Sequence, residues 1–255
     1  MQKSREVAGI RFCLLDKQQV VQSVMNKTPA SEPLRLVVTT NVDHMVTMSR
    51  NAEFKAACQQ AWLVTADGFP VVRLLRLLGI PSPGRITGAD LFPQIMNRLT
   101  PDRYSPFFVC SSNATAAFLQ HWLQLRGFSA PELRVVVPPF GFEHDLKRSA
   151  ALIEQINTLK TTHLFFGVGA PKSELWMSRH SEQLQGMYGF GFGAGLDFFS
   201  GTARRAPAWM QKTGLEWLWR LLSDPRRLAR RYLIDSWIFL RIAIQEYRYT
   251  RREGI

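Results

Sequence analysis

Asp67 stands in an Ala-Asp-Gly triplet directly after the apolar run 62–65. A carboxylate at a strand end can take a proton from an attacking hydroxyl, the ordinary work of a general base. Asp before Gly is equally a turn or helix cap, so the triplet alone leaves both readings open. Thr39-Thr40-Asn41 follows the aliphatic run 34–38 and carries hydroxyl and amide groups. These either hydrogen-bond a nucleotide or sugar or cap the local backbone. Gly167-Val168-Gly169-Ala170-Pro171-Lys172 follows a further apolar run and precedes a helical pattern. Its glycines let backbone amides approach an anion at a helix N-terminus, although a plain tight turn has the same composition. Cys110-Ser111-Ser112-Asn113 and the glycines at 189, 191 and 193 complete a set of five small or polar strand ends.

Other chemistries find no support in the spacing. His44, His121, His144, His163 and His180 lack metal-ligand spacing, and no Asp-x-Asp pair offers to hold a metal-bound diphosphate. No metal and no cofactor are therefore expected. The Gly-rich loop has neither Walker nor GxGxxG spacing, which argues against a dinucleotide dehydrogenase. Cys13, Cys58 and Cys110 are odd in number and scattered, so a disulfide framework or a structural zinc is not expected and a reducing cytoplasm fits.

The elements that must position these groups alternate. Strands are expected at 10–15, 34–39, 62–65, 107–110, 133–137, 163–168 and 187–190, with helices at 17–26, 53–61, 89–98, 114–125, 146–159 and 173–184. Several of the strands are almost wholly apolar, as in a sheet covered by helices on both faces. The expected fold is α/β: a mostly parallel, Rossmann-like sheet with a helical C-terminal appendage. In such sheets ligands bind beyond the carboxyl ends of the strands, where the five polar loops would gather. The rhythm stops at Gly201-Thr202. A helical pattern opens at Ala206-Pro207, and Asp224-Pro225 starts a second helix expected from Arg226 to about Tyr249. The chain thus divides into an α/β catalytic domain (1–203) and a basic amphipathic helical appendage (204–255).

With 255 residues, 46% of them apolar and 20% charged, the chain can build a sizeable core. The net charge of +12 is concentrated at the end: residues 204–255 carry 12 Lys/Arg against 5 Asp/Glu, and four of the seven tryptophans. Such a tail seeks a polyanion, whether nucleic acid, anionic lipid or diphosphate. Interleaving with Trp, Tyr, Leu and Ile favours a lipid surface, and no nucleic-acid motif is present. A helical pair with a solvated basic face has the same composition. Neither a signal peptide nor a run long enough to span a bilayer is expected.

The motifs TTN (39–41), ADGFPVV (66–72), GRITGADL (84–91), GVGAPKSE (167–174), GFGAGLDFFSG (191–201), RRAPAWMQKTGLEWLWRL (204–221) and DPRRLARRYL (224–233) resemble the WecG/TagA/CpsF glycosyltransferases, glycosyltransferase family 26. The resemblance runs from about residue 7 to residue 245. It implies an inverting transferase that moves a sugar from a UDP donor to a polyprenyl-diphosphate-linked saccharide during surface-polysaccharide assembly. N-acetylmannosamine, its uronic acid and glucose are the donor sugars it implies. Asp67 maps to the family's proposed catalytic base. Thr39, Asn41 and Arg85 map to substrate-binding positions, joined by Gly167, Gly169, Lys172, Ser173, Glu174, Gly191, Gly193 and Asp197 of the matched loops. Arg220, Arg227 and Arg230 map to the tail arginines expected at the lipid diphosphate and membrane.

Ser173 stands where the family usually has Gln, and Cys110-Ser111-Ser112 where members often have a Gly-rich turn, so donor identity stays open. PPFGFE (138–143) is more similar to exopolysaccharide members than to teichoic-acid ones. The implied location is peripheral, on the cytoplasmic face of the plasma membrane. The tail is also a candidate surface for packing against a second subunit.

Overall fold

The computed structural model of the chain describes residues 4–252; the side chains at 4, 5, 227, 230 and 231 fall outside that description. Strands β1 (Ser4–Val7) and β2 (Ile10–Cys13) form an antiparallel hairpin. Its two-residue turn, Ala8-Gly9, has φ of 53° and 76°, the twist that joins adjacent antiparallel strands. The 10–15 run is therefore not part of the main sheet. Its partner strand lies in the polar sequence Ser4–Val7, where no apolar run marks it.

The main sheet has six strands, all parallel, in the order β4 (Leu63–Ala66), β3 (Arg35–Thr40), β8 (Tyr188–Gly191), β7 (His163–Phe166), β5 (Pro106–Val109) and β6 (Val135–Val136). β6 is only two residues long, shorter than the 133–137 run. A 3-10 turn takes Pro131–Leu133, and Pro138 and Pro139 have no N–H for a ladder.

Helices cover both faces. One core contains Leu36 and Val38 of β3, Leu164 and Phe166 of β7, and residues of α2 (Val42–Arg50), α3 (Ala52–Gln60), α4 (Phe69–Leu77), α7 (Leu146–Thr158) and α8 (Lys172–Arg179). The other contains Val37, Phe165, Phe108 and Phe190 with residues of α1 (Lys17–Val24), α5 (Gly88–Met96), α6 (Asn113–Leu125) and α9 (Gly195–Ser200). Alternate residues of one strand thus feed opposite cores, the two-residue period of a pleated sheet. Side chains cap several of the helices: Asn41 caps α2, Asn51 α3, Thr87 α5, Ser112 α6 and Asp145 α7. α2 and α4 were not marked by the sequence pattern, and α8 stops at Arg179, short of 184.

Beyond residue 201 the chain is helical: α10 (Ala208–Thr213), α11 (Glu216–Ser223) and α12 (Pro225–Arg252). The single helix expected after Pro207 is two, because Gly214 ends α10 with φ of 82°. A Cβ at that position would come within 2.9 Å of the Phe69 ring, so the α10–α11 turn lies directly on the first residue of α4. α12 packs Phe239, Ile242, Ala243 and Tyr247 against the first core and leaves Leu233, Trp237, Leu240 and Ile244 exposed. Among the described residues no helix is long and apolar enough to cross a membrane.

Candidate active site

Asp67 follows β4 beside the carboxyl end of β3, within electrostatic reach of Glu216 at the start of α11. Its backbone N–H donates to the Thr40 carbonyl at 2.7 Å, which continues the β3–β4 pairing one residue beyond the strand. The carboxylate accepts no hydrogen bond from any described side chain or backbone, so it does not cap α4. Burial pushes its pKa from 3.8 up to about 6; Arg220 and Arg85 oppose the rise, Glu216 adds to it and His44 opposes it. A carboxylate that is half-desolvated, unbonded and ringed by arginines is ionised above pH 6 and free to accept a proton.

The arginines are held by an alternating ring of charge. Arg85 donates from Nη1 to Glu216 Oε2 at 2.9 Å, and its Nη2 lies 3.8 Å from Asp90. Arg205 donates from Nη1 to Asp90 at 2.7 Å and from Nε to Glu216 Oε1 at 3.2 Å. All four side chains are between 16% and 21% exposed, so these pairs are sheltered from solvent screening. Arg85 also lies over the Phe69 ring at 5.6 Å. Glu216 opens α11 and Asp90 sits in the first turn of α5, each at the helix end that favours negative charge. The ring thereby joins the terminal helices to the α/β body beside Asp67. Arg220, one turn after Glu216, lies over the Phe198 ring at 5.7 Å.

On the β3 side, Thr39 is buried against Thr65 across the ladder, and the Thr40 hydroxyl is buried without a partner. Asn41 Oδ1 accepts from the His44 backbone N–H at 3.1 Å and faces His44 Nδ1 at 2.9 Å. The other ring nitrogen lies 3.5 Å from Glu174 Oε1. Burial pulls the His44 pKa down, but the Glu174 carboxylate, with Asp43 and Asp67 behind it, leaves it raised above 6.5.

In the β7–α8 loop Gly169 adopts φ of 85°, and its carbonyl accepts from both the N–H and the hydroxyl of Ser173. Gly167 donates its N–H to Val109. Ser173 and Glu174, expected to face substrate, are each only 1% exposed and engaged internally. Lys172 points outward, 3.4 Å from Glu143 and 4.3 Å above the Phe140 ring. Gly191 makes room for Glu174: a Cβ there would overlap the carboxylate. Gly193 lies against Gly169, so the two glycine turns touch. Asp197 belongs to a neighbouring cluster at the end of β5, accepting from Thr115 at 2.6 Å and from Ser111 at 3.3 Å.

Asn41, Asp67, Arg85, Glu174 and Arg220 thus lie within electrostatic or hydrogen-bond reach of one another or of His44. Gly167, Gly169, Lys172, Ser173, Gly191 and Gly193 belong to the neighbouring turns, Thr39 pairs with Thr65 inside the sheet, and Asp197 stands apart at the end of β5. The side chains of Arg227 and Arg230 lie outside the described residues. His44, Arg205, Glu216 and Asp90 were not singled out from sequence. His44 carried a usable signal, three residues after an Asn at a helix start, while Arg205 and Glu216 sat unremarked inside the C-terminal motif. His163, buried and held by the Val24 carbonyl with its pKa pushed down to about 4 by desolvation, is a neutral structural residue. Among the described residues, no three His, Cys, Asp or Glu side chains gather to hold a metal ion.

The profile of the Glycosyl transferase WecG/TagA/CpsF family matches residues 5–253. Similar proteins include the N-acetylglucosaminyldiphosphoundecaprenol N-acetyl-beta-D-mannosaminyltransferases of Staphylococcus aureus strains MW2 and COL. Each is 26% identical over 231 residues, covering 88% of this chain and 87% of its own. With its doubly covered parallel sheet and a desolvated carboxylate among arginines at the strand ends, the chain is a glycosyltransferase and belongs to the WecG/TagA/CpsF family.

Proposed function

We propose that the chain transfers a sugar from a UDP-sugar to a saccharide carried on a polyprenyl diphosphate, with inversion at the anomeric carbon. The observation that carries this reading is Asp67, unbonded, with its pKa near 6, beside two arginines. Asp67 takes the proton of the acceptor hydroxyl as that oxygen bonds to the anomeric carbon. The bond from that carbon to the diphosphate oxygen breaks on the opposite face, and its electron pair leaves with UDP. Arg85, with the backbone amides of residues 168–170, stabilises the charge that grows on the leaving diphosphate. Arg220, with Arg227 and Arg230, meets the lipid diphosphate of the acceptor.

The names of the relatives favour an N-acetylmannosamine donor and an N-acetylglucosaminyl acceptor; the uronic acid and glucose are the competing donors. Ser173, shorter than glutamine and bonded to Gly169, supports a donor pocket shaped differently from that of other members. A role in exopolysaccharide assembly rests on PPFGFE. Residues 204–255 serve as an appendage that closes the site and lies on the anionic inner face of the plasma membrane. What supports this is the exposed series Leu233, Trp237, Leu240 and Ile244, recurring at helical spacing beside Arg241 and Arg248.

The test is a donor screen with purified protein, detergent and a synthetic polyprenyl-diphosphate N-acetylglucosamine, read by mass spectrometry. Addition of one hexosamine with release of UDP is expected. No transfer from any nucleotide sugar to the lipid acceptor would remove the proposal.

A further inference from the structure

One buried polar assembly has no part in the mechanism above. Asn41 Oδ1 faces both a backbone N–H and the Nδ1 of His44. A backbone N–H only donates, so the atom opposite it is the amide oxygen, and Nδ1 must therefore carry a hydrogen. That leaves Nε2 as the ring's one variable position, 3.5 Å from Glu174 Oε1. That is ion-pair distance without a hydrogen bond, and a lone pair there would face a carboxylate, so the ring and the acid are best satisfied as an ion pair.

The surroundings decide its position. The charged groups acting on His44 are Glu174 from α8, Asp43 from its own helix and Asp67 from the end of β4, all acidic. They favour a cationic ring paired with a carboxylate. The other oxygen of Glu174, Oε2, is buried without a hydrogen-bond partner, and the missing side chain of Gly191 leaves the space that Oε1 occupies. A buried polar atom left so poorly satisfied calls for an explanation.

We propose that His44, held as a cation by Asn41 and Glu174, is a positioning residue that presents a fixed positive charge to Asp67 and keeps this carboxylate ionised for proton transfer. The proposal rests on the reading of Asp67 as the base; the charge of His44 does not. Asp67 donates its N–H to Thr40, the residue before the Asn41 that caps the helix of His44, so the two groups stand at adjoining strand ends. Arg220, Arg85 and Glu216 act on Asp67 as well, and the effect is a modulation of the base.

The first test needs no substrate. In ¹⁵N-histidine NMR of the full chain, the signal absent from His44→Gln identifies His44, and it is expected to titrate above the ordinary histidine value of 6.5. The second is the pH dependence of kcat/KM in Glu174→Gln. The amide donates to Nε2 and leaves the ring neutral, so the acid limb moves to higher pH and activity at pH 6 falls about two- to fivefold more than at pH 8. A Glu174 acting as a lone negative charge predicts the opposite shift, because its loss would make Asp67 easier to ionise. A His44 ring that titrates at or below 6.5, or an acid limb that stays put or moves down, overturns the proposal. If the Asp67 reading fails instead, the His44 signal is unchanged and the pH limb loses its link to residue 67.

Discussion

Replacing Asp67 with Asn should cost the protein its activity and make it more stable, with a pH dependence that identifies the cause. In the folded chain the carboxyl titrates near 6, against 3.8 as its ordinary value. Well below pH 3.8 both folded and unfolded chains hold the proton and the residue is neutral in its effect. As pH rises through 3.8 the unfolded chain ionises first, which favours unfolding. Above 6 both are ionised and the full penalty applies. A shift of about two units corresponds to roughly 3 kcal/mol. Asparagine brings its own unbonded polar group, which takes back about 1 kcal/mol or more. The net gain for Asp67→Asn at pH 8 is then on the order of 1–2 kcal/mol, a rise of about 2–8 °C in Tm for a chain of this size. Thermal melts of both proteins at pH 4.5 and pH 8, paired with turnover measurements, provide the check. Transfer should fall about 10²- to 10⁴-fold, the usual contribution of a placed base. A variant no more stable at pH 8 than the parent, or one stabilised equally at both pH values, refutes the idea that this carboxylate is held desolvated. Near-parental transfer would remove it from the mechanism whatever the melts show.

Arg220 and Glu216 act on the same carboxylate with opposite sign. Arg220→Ala should move the acid limb of kcat/KM above 6 and Glu216→Gln below it, and a pH–rate profile that moves the same way for both would contradict the charge arrangement. Gly214→Ala should destabilise by about 1–3 kcal/mol, because alanine must hold a left-handed backbone and its Cβ meets Phe69; urea unfolding gives the value. Truncation after Gly201 should release the protein from anionic vesicles in sedimentation and abolish transfer to a lipid acceptor. In the full chain this binding should weaken as salt is raised, each surface Lys or Arg contributing about 1 kcal/mol at low ionic strength.

The α/β class, the carboxyl-end location of the polar loops and the change of character near residue 201 follow from the chain's own pattern. Apolar runs bounded by glycines and caps are local, and hydrophobic periodicity is written residue by residue. The motif order likewise singles out Asp67, Arg85 and the glycine turns as candidates for one site. Partnership was beyond the reach of that pattern. Ser4–Val7 becomes a strand only because Ile10–Cys13 lies opposite it, and β6 is cut to two residues by the prolines on either side. Arg85 and Glu216 are 131 positions apart, and His44 and Glu174 are 130, yet each pair is at ion-pair distance. The tertiary structure alone decides which charges are desolvated together, and desolvation is what lifts the carboxyl at residue 67 to a useful pKa. Strand order and helix docking are long-range outcomes of packing, and in them Glu174 turns inward to a histidine while Lys172, two residues away, turns out.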